Sequence, residues 1–358
     1  MQVKDNSKIR SITFAEAILE ATIQAMEKDC SVLAFGLGVT DPKGVFGTTV
    51  GLKERFGEDR VYDTPVSENA VTGVMVGLAI SGFRPILSHQ RADFMLMSMD
   101  QIINNSAKWK YMFGGQSSVP LVIRTIVGRG WGQGPQHSQN FQAMFAQVPG
   151  LKVVSPTTPY QAKGLMVAAI EDPGPVIFIE HRWLHSQVGD VPEDCYSLPI
   201  GKAHIMKKGE DLTIVTSLDM AVEALKVAES LKSQGLDIEV IDLCTVKPLD
   251  EKTILNSVNK TGRLLVIDSS WRDFGVAAQV SALVAEKGYN CLKGEVRRIG
   301  LPDIPTPSTP ALSKGYYPRG KEICQAIEEI LNVAIDMSSF EDEKIPHDIP
   351  DPFFKGPF

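Results

Sequence analysis

No run of about eighteen consecutive apolar residues occurs anywhere in the chain, which excludes a helix spanning a bilayer. The opening residues, Met1-Gln-Val-Lys-Asp-Asn-Ser-Lys8, supply neither an apolar core nor an Arg- and Ser-rich amphipathic segment. That argues against export or organelle import and predicts a cytoplasmic protein. Cysteine is scarce: Cys30, Cys195, Cys244, Cys291 and Cys324 are scattered, odd in number and without a Cys-x-x-Cys pair. Reduced thiols fit this pattern better than disulfides or zinc. Basic clusters are missing and the formal charge is −7, which argues against nucleic acid or a membrane surface as partner. No Gly-x-Gly-x-x-Gly opens a helix after a strand, and no Walker Lys-Ser/Thr pair follows the glycine-rich segment. A dinucleotide-binding dehydrogenase and a phosphate cradle are therefore weak readings.

What is present describes a soluble globular protein, with 43% hydrophobic and 22% charged residues. A length of 358 residues predicts more than one core. Short apolar runs at Ser31-Val-Leu-Ala-Phe35, Pro85-Ile-Leu87, Pro120-Leu-Val-Ile-Arg-Thr-Ile-Val127 and Val176-Ile-Phe-Ile-Glu180 alternate with helical patterns. The first of these helices opens on a capping box, Thr13-Phe-Ala-Glu16. Another long helix is expected across Phe94 to Met112. A second alternation begins after a turn-rich segment around 189–201, with strands at Asp211–Thr216, Ile238–Leu243 and Leu264–Asp268. Apolar strands alternating with helices imply mostly parallel sheets flanked by helices, so the expected class is α/β with two domains. The expected boundaries are 1–195, 196–336 and a Pro-rich tail at 337–358. Phe353, Phe354 and Phe358 near its end suit docking onto another subunit, although disorder is the default for a terminus.

One acidic residue stands out. Glu68 in Thr64-Pro-Val-Ser-Glu-Asn69 precedes a segment of small and apolar residues, Ala70 to Gly82, that reads as a buried helix. A carboxylate at its mouth is costly unless something hydrogen-bonds it. The plainer reading is a first-turn Glu favoured by the helix dipole. Further on, Ser88-His-Gln-Arg-Ala-Asp-Phe94 runs into Met99-Asp-Gln-Ile-Ile-Asn-Asn-Ser-Ala-Lys108. Then Gly128-Arg-Gly-Trp-Gly-Gln-Gly-Pro-Gln-His-Ser-Gln139 follows a strand, where a parallel sheet places its ligand crevice.

Together with Val148-Pro-Gly-Leu-Lys-Val-Val-Ser-Pro156, Ile304-Pro-Thr-Pro307 and Tyr317-Pro318, these stretches resemble one family over nearly the whole chain, from Ile12 to about Leu331. It is the β subunit (E1β) of the thiamine-diphosphate-dependent 2-oxo acid dehydrogenases of pyruvate and branched-chain type, in the transketolase-like superfamily. Several motifs in order at family spacing are a far more specific signal than one short pattern.

The resemblance implies a pyrimidine-binding domain followed by a transketolase C-terminal-like domain. It implies that the Glu68 carboxyl hydrogen-bonds the aminopyrimidine of thiamine diphosphate and promotes its imino tautomer. An apolar pocket suits that task, because desolvation favours a carboxyl's protonated, donating form. Phe94 matches the aromatic ring that stacks on the pyrimidine; its alternative is a core Phe at a helix start. His137 matches the histidine that faces substrate and acyl acceptor, a role for a side chain titrating near neutrality. His89, Arg91 and Arg129 are cationic candidates for gripping an anionic substrate, and solvation explains Arg129 equally well. The family's Gly-Asp-Gly motif for magnesium and diphosphate is absent, so the magnesium ligands are expected on an α subunit, in an α2β2 heterotetramer. Backbone carbonyls of Leu121 and Ala169, with Asp172, match a structural potassium site, although Gly174 stands where Asn is common, and sodium or no ion remain alternatives.

Two departures bear on substrate. Gly36-Leu-Gly-Val39 replaces Gly-Glu-Glu or Gly-Glu-Asp, and Ser88 replaces the acid that opens the strand-end motif. With His89 and Arg91 nearby, a more positive site and a more anionic or polar substrate than pyruvate are expected. The leading reading is decarboxylation of a 2-oxo acid with transfer of the acyl unit, a lipoyl acyltransferase being one candidate partner. The alternative is a transketolase-like or acyloin-forming pair that passes the carbanion to an aldehyde or ketone without a lipoyl partner. A scaffolding pseudo-subunit is disfavoured by the joint presence of Glu68, Phe94 and His137.

Overall fold

The computed structural model describes residues 8–128, 132–340 and 349. Arg129 and the aromatic residues of the tail lie outside them. The chain divides into two units, each α/β as expected. The first takes the chain up to Val127 and then Met144–Ile200; the second takes Gly128–Ala143 and the chain from Gly201 onward. Segment Gly128–Ala143 thus groups with residues far downstream rather than with the strand that precedes it. Among the described residues, no helix is long and apolar enough to cross a membrane.

In the first unit a parallel sheet runs in the order Lys152–Val154, Val176–His181, Val122–Val127, Arg84–His89, Val32–Gly36, Val61–Asp63. Every residue of Val122–Val127 and Val176–His181 is buried, which is why these strands show no regular alternation of apolar and polar residues. Thr13 and Glu16 form the expected capping box of helix Phe14–Lys28, with Thr13 N to Glu16 Oε2 at 2.7 Å and Glu16 N to Thr13 Oγ1 at 3.1 Å. That helix packs on Pro159–Glu171, whose own box uses Thr158 and Gln161.

Two expectations are corrected. The helix Glu68–Ile80 is buried on one face only, through Thr72, Met75, Val76 and Ala79, while Val74 and Ile80 are 58% and 40% exposed. Small residues let it pack closely against strand Arg84–His89 and segment Asp100–Ser106, while among the described residues its other side is left exposed at Val74 and Ile80. The single helix expected across Phe94 to Met112 is instead a succession of turns: α over Ala92–Met95, 3-10 over Leu96–Ser98, π over Asp100–Ser106 and α over Trp109–Met112. A π stretch shifts the faces of the flanking turns, so helical periodicity is lost across it.

The second unit carries the sheet Arg297–Leu301, Leu264–Trp271, Leu212–Thr216, Ile238–Asp242, parallel throughout, with His204–Lys207 antiparallel at the edge. Its core joins Leu212, Ile214 and Val240 of the sheet to Val227 and Leu231 of helix Asp219–Lys232 and to Ile323 and Ile327 of helix Gly320–Leu331.

Arg124 is the largest of the fully buried side chains, and it lies in the middle of the first unit's sheet. Its Nε and Nη2 donate to the two Glu180 oxygens at 2.7 and 3.0 Å, and its remaining donors reach Thr48 Oγ1 at 2.7 Å and Ser88 Oγ at 3.3 Å. Removing one partner of such a pair leaves an uncompensated buried charge. Arg124→Ala should therefore lower unfolding free energy by about 3–5 kcal/mol. The shift of the urea midpoint at unchanged m-value checks this, and a loss below about 1 kcal/mol would show that the pair is not what holds these strands.

Candidate functional site

Strand Arg84–His89 delivers Ser88 and His89 to its C-terminal end, and the chain then turns into Ala92–Met95. Beside it, Val32–Gly36 ends on Gly36, where a Cβ would meet the Ser88 carbonyl oxygen at 2.4 Å. Only glycine lets the two strand ends approach this closely. The backbone then folds over so that Gly38 N donates to Asp63 Oδ1 at 2.8 Å and Gln90 Nε2 donates to the Leu37 carbonyl at 3.1 Å. Asp63 also accepts from Thr64 N at 2.9 Å, which fixes the start of the irregular stretch leading to Glu68.

These segments enclose a pocket of ≈ 160 Å³. Leu37, Val66, Val71 and Leu87 give it apolar walls, while Glu68, His89 and the ring of Phe94 line it together. Glu68 is half-buried and Phe94 is 38% exposed, so a carboxyl and an aromatic ring both face space that a flat heteroaromatic group could occupy. His89 is almost fully buried, and its Nε2 has no hydrogen-bond partner among the described residues. A group bound in the pocket could partner this nitrogen. The residues fit an aminopyrimidine: a carboxyl for a ring nitrogen, an aromatic ring for its face, and apolar walls.

His89 does not supply the positive charge expected of it. Burial pushes its pKa down to about 4, so the ring is neutral at pH 7. Arg91 is also displaced from its expected role: it is 3% exposed and lies 5.6 Å from the centre of the Phe46 ring, which Arg182 approaches at 4.7 Å. Burial, reinforced by Arg182, lowers the Arg91 pKa to about 10, and Arg91 is not among the residues lining the pocket. The walls of the site are largely apolar, and neither His89 nor Arg91 makes it strongly positive.

His137 ends the 3-10 turn Pro135–His137 in the second unit, where it is partly buried. Its turn is closed by Ser138 Oγ donating to the Gly134 and Gln133 carbonyls at 2.9 and 3.2 Å. The carbonyls matched to a potassium site already have internal donors. Val176 N reaches Leu121 O at 2.9 Å, and Asp172 N reaches Ala169 O at 3.4 Å. Arg84 Nη1 donates to Ile170 O at 2.8 Å and to Asp172 O at 3.2 Å, and the Asp172 carboxylate pairs with Lys152. With one cation on the carbonyls and another on Asp172, the fit to an alkali ion is poor. Among the described residues no group of three or more His, Cys, Asp or Glu side chains is placed to hold a metal.

Sequence reasoning missed Leu37, Gln90 and Ser88 as shapers of the pocket, and Glu180 beneath it. Glu180 is fully buried; burial opposes its ionisation, but the Arg124 charge and a hydrogen bond from His185 at 3.0 Å hold its pKa below the usual carboxylate range. Nothing in a continuous apolar run announces that two of its residues pair with charge reversed.

Comparison with known proteins follows this geometry. Residues 10–186 match the transketolase pyrimidine-binding domain family and residues 201–323 the transketolase C-terminal domain family. The β subunit of acetoin:2,6-dichlorophenolindophenol oxidoreductase from Cupriavidus necator is 41% identical over 332 residues, covering 90% of this chain and 98% of that protein. The 2-oxoisovalerate dehydrogenase β subunit of Bacillus subtilis is 39% identical, and so is the pyruvate dehydrogenase E1 β subunit of Acholeplasma laidlawii, each covering 89% of this chain and 98% of the relative. A solved structure titled as a split-gene transketolase, an inactive β4 tetramer, superposes with a TM-score of 0.73 at 21% identity over 90% of this chain and 99% of that one, a likeness of fold.

Burial makes stability pH-dependent. His181 is held down to about 3, by burial first and then by the neighbouring cationic groups, and His89 to about 4, whereas an unfolded histidine titrates near 6.5. Between about pH 4 and 6.5 the unfolded chain binds more protons, so stability is full above that window and falls as pH drops through it. Each ring contributes a slope of about 1.4 kcal/mol per pH unit at most. Urea unfolding of wild type and His89→Asn at pH 7 and pH 5 should show a shallower pH dependence in the variant. Identical slopes would mean that His89 is not buried as a neutral ring.

Proposed function

The chain belongs to the family of β subunits of the thiamine-diphosphate-dependent 2-oxo acid dehydrogenases, and we propose that it supplies the pyrimidine half of an active site completed by an α subunit. The observation that carries this reading is the meeting of Glu68 and Phe94 in one apolar-walled pocket at the strand ends. In it, Glu68 hydrogen-bonds a ring nitrogen of the pyrimidine and Phe94 covers its face. Bound thiamine diphosphate supplies an acidic thiazolium carbon that can hold a carbanion. Leu37, Val71 and Leu87 exclude water from the Glu68 carboxyl, which strengthens its hydrogen bond. His137 moves a proton at the reacting carbon or the acyl acceptor. Magnesium and the diphosphate are held by the α subunit in an α2β2 assembly, in line with the missing Gly-Asp-Gly motif. The reaction is decarboxylation of a 2-oxo acid, with release of CO2, after which the remaining carbanion is oxidised to the acyl level by two electrons, taken by the lipoyl disulfide of an acyltransferase that becomes acyl thioester and thiol.

A second reading is favoured by the two relatives named as acetoin oxidoreductases, at 41% and 40% identity. Acetoin is neutral, and its 2-hydroxy ketone would be cleaved between its two oxygenated carbons rather than decarboxylated. A pocket whose histidine is neutral suits such a substrate at least as well as a strongly anionic one. With the α subunit present, turnover of 2-oxo acids and of acetoin with a dye acceptor separates the two readings by which substrate gives the higher kcat/KM.

Glu68→Gln keeps the shape but loses the acidic proton. It should depress every reaction of the assembled enzyme, including proton exchange at the thiazolium carbon, by roughly two to four orders of magnitude. His137→Ala should leave that exchange nearly intact while slowing turnover. Equal loss of exchange in both variants would refute the division of roles, and full turnover by Glu68→Gln would remove the chain from thiamine catalysis in the sense argued here.

A further inference from the structure

His137 acts only as precisely as its turn is held. Its anchors lie on the second unit's strand Leu264–Trp271. Asn140, three residues beyond His137, is 4% exposed. Its Oδ1 accepts from Gly128 N at 2.7 Å, closing the base of the segment, and its Nδ2 donates to the Ser269 carbonyl. Ser270 Oγ returns a bond to the Asn140 carbonyl at 2.8 Å. Gln142, with no exposure, donates through Nε2 to Asp268 Oδ1 and Ser269 Oγ, both at 3.1 Å.

Asp268 is itself a junction. Its Oδ1 also accepts from Ser270 N at 3.0 Å, and its Oδ2 accepts from Ala277 N at 3.0 Å in the first turn of helix Val276–Lys287. Gly275 is required there, since a Cβ would meet Asp268 Oδ2 at 2.5 Å. The Phe141 ring packs at 6.1 Å from Trp271, completing the seam on its apolar side. Gly134, at the other end of the turn, is pressed against Ser308, whose Oγ would lie 2.5 Å from an added Cβ. The segment carrying His137 is thus pinned on its C-terminal side by buried groups of the second unit, with Gly134 packed against the exposed Ser308, and none of these groups lines the pocket around Glu68.

We propose that Asn140 and Gln142, held by Asp268, Ser269 and Ser270, are positioning residues that set where the His137 imidazole stands, and that proton transfer by His137 depends on this clamp. The proposal rests on the role given to His137 above. Its chemical basis is that a general acid or base works only within hydrogen-bond reach of its proton, and a displacement of about 1 Å can cost two orders of magnitude in rate. Asn140→Asp tests one bond of the clamp: it keeps the acceptor for Gly128 N but loses the donor to Ser269 O.

The experiment uses the assembled α and β subunits and compares wild type, Asn140→Asp, Gln142→Ala, His137→Ala and the double variant His137→Ala/Asn140→Asp. Turnover with a 2-oxo acid or acetoin and a dye acceptor gives kcat, KM and the pH profile; proton exchange at the thiazolium carbon is measured in parallel. The expected result is a kcat about 10- to 100-fold lower in each clamp variant, with exchange within about twofold of wild type. The pH profile should lose the limb that His137→Ala also loses. The double variant should turn over no more slowly than His137→Ala alone, because a clamp has no further effect once its cargo is gone. A double variant slower by the product of the two single losses would overturn the proposal, assigning Asn140 a general structural role. Clamp variants with wild-type kcat would overturn it as well. If His137→Ala itself turned over normally, the role of His137 would fall and the clamp with it, while Glu68→Gln would still test the thiamine reading separately.

Discussion

A guanidinium and a carboxylate face each other across two central strands of the first unit, both buried. Arg124 and Glu180 are 2% and 0% exposed at the side chain, so every donor and acceptor must be met by protein. The matching draws in Thr48 from the loop after the first strand, Ser88 from the neighbouring strand end and His185 from the turn after Val176–His181. Segments distant in sequence are tied to one point beneath the pocket. Ser88, one of these ties, also lines the pocket. The acid that the family resemblance leads one to expect at position 88 would place a second carboxylate against a guanidinium already neutralised by Glu180. A hydroxyl there adds a hydrogen bond without adding charge.

This balance explains why a site with histidine and arginine in its motif is less positive than those letters suggest. His89 is close enough to line the pocket, yet too well buried to carry charge at neutral pH. Arg91 is turned toward Phe46, where its side chain packs on an aromatic face beside Arg182. Specificity in such a pocket comes from shape and from single hydrogen bonds rather than from a field that gathers anions.

The alternation of apolar runs and helices was enough to read both units as parallel α/β, because strands buried on both faces leave no other pattern. Glu68 and Phe94 were singled out through their motifs, and both line one pocket. Three things were not legible. The charges of Arg124 and Glu180 are 56 residues apart, and only the register of adjacent strands makes them partners. Lys163 is read as a helix-surface residue by its type, yet it is buried, with its ammonium on Glu20 and on the carbonyls of Pro192, Glu193 and Asp194. The allegiance of Gly128–Ala143 is also hidden, since a glycine-rich loop following a strand gives no sign that Asn140 and Gln142 will find their partners about 130 residues later.

The misjudged burial of helix Glu68–Ile80 carries its own argument. Small residues were taken to mean enclosure, and on the face toward the sheet they do. The opposite face leaves Val74 and Ile80 exposed, and the helical segment packed beside it leaves Met97, Tyr111, Met112 and Phe113 exposed as well, at 69%, 90%, 55% and 49%. A chain with only 7% aromatic residues does not ordinarily leave two of them and two methionines exposed within one short stretch of sequence. The same helix begins with the carboxyl of the site, so whatever covers its apolar face is placed beside the pocket mouth. On the proposal that an α subunit completes the site, the surface that draws the partner in is continuous with the residues whose chemistry the partner completes, and the missing diphosphate motif and the uncovered face express one division of labour.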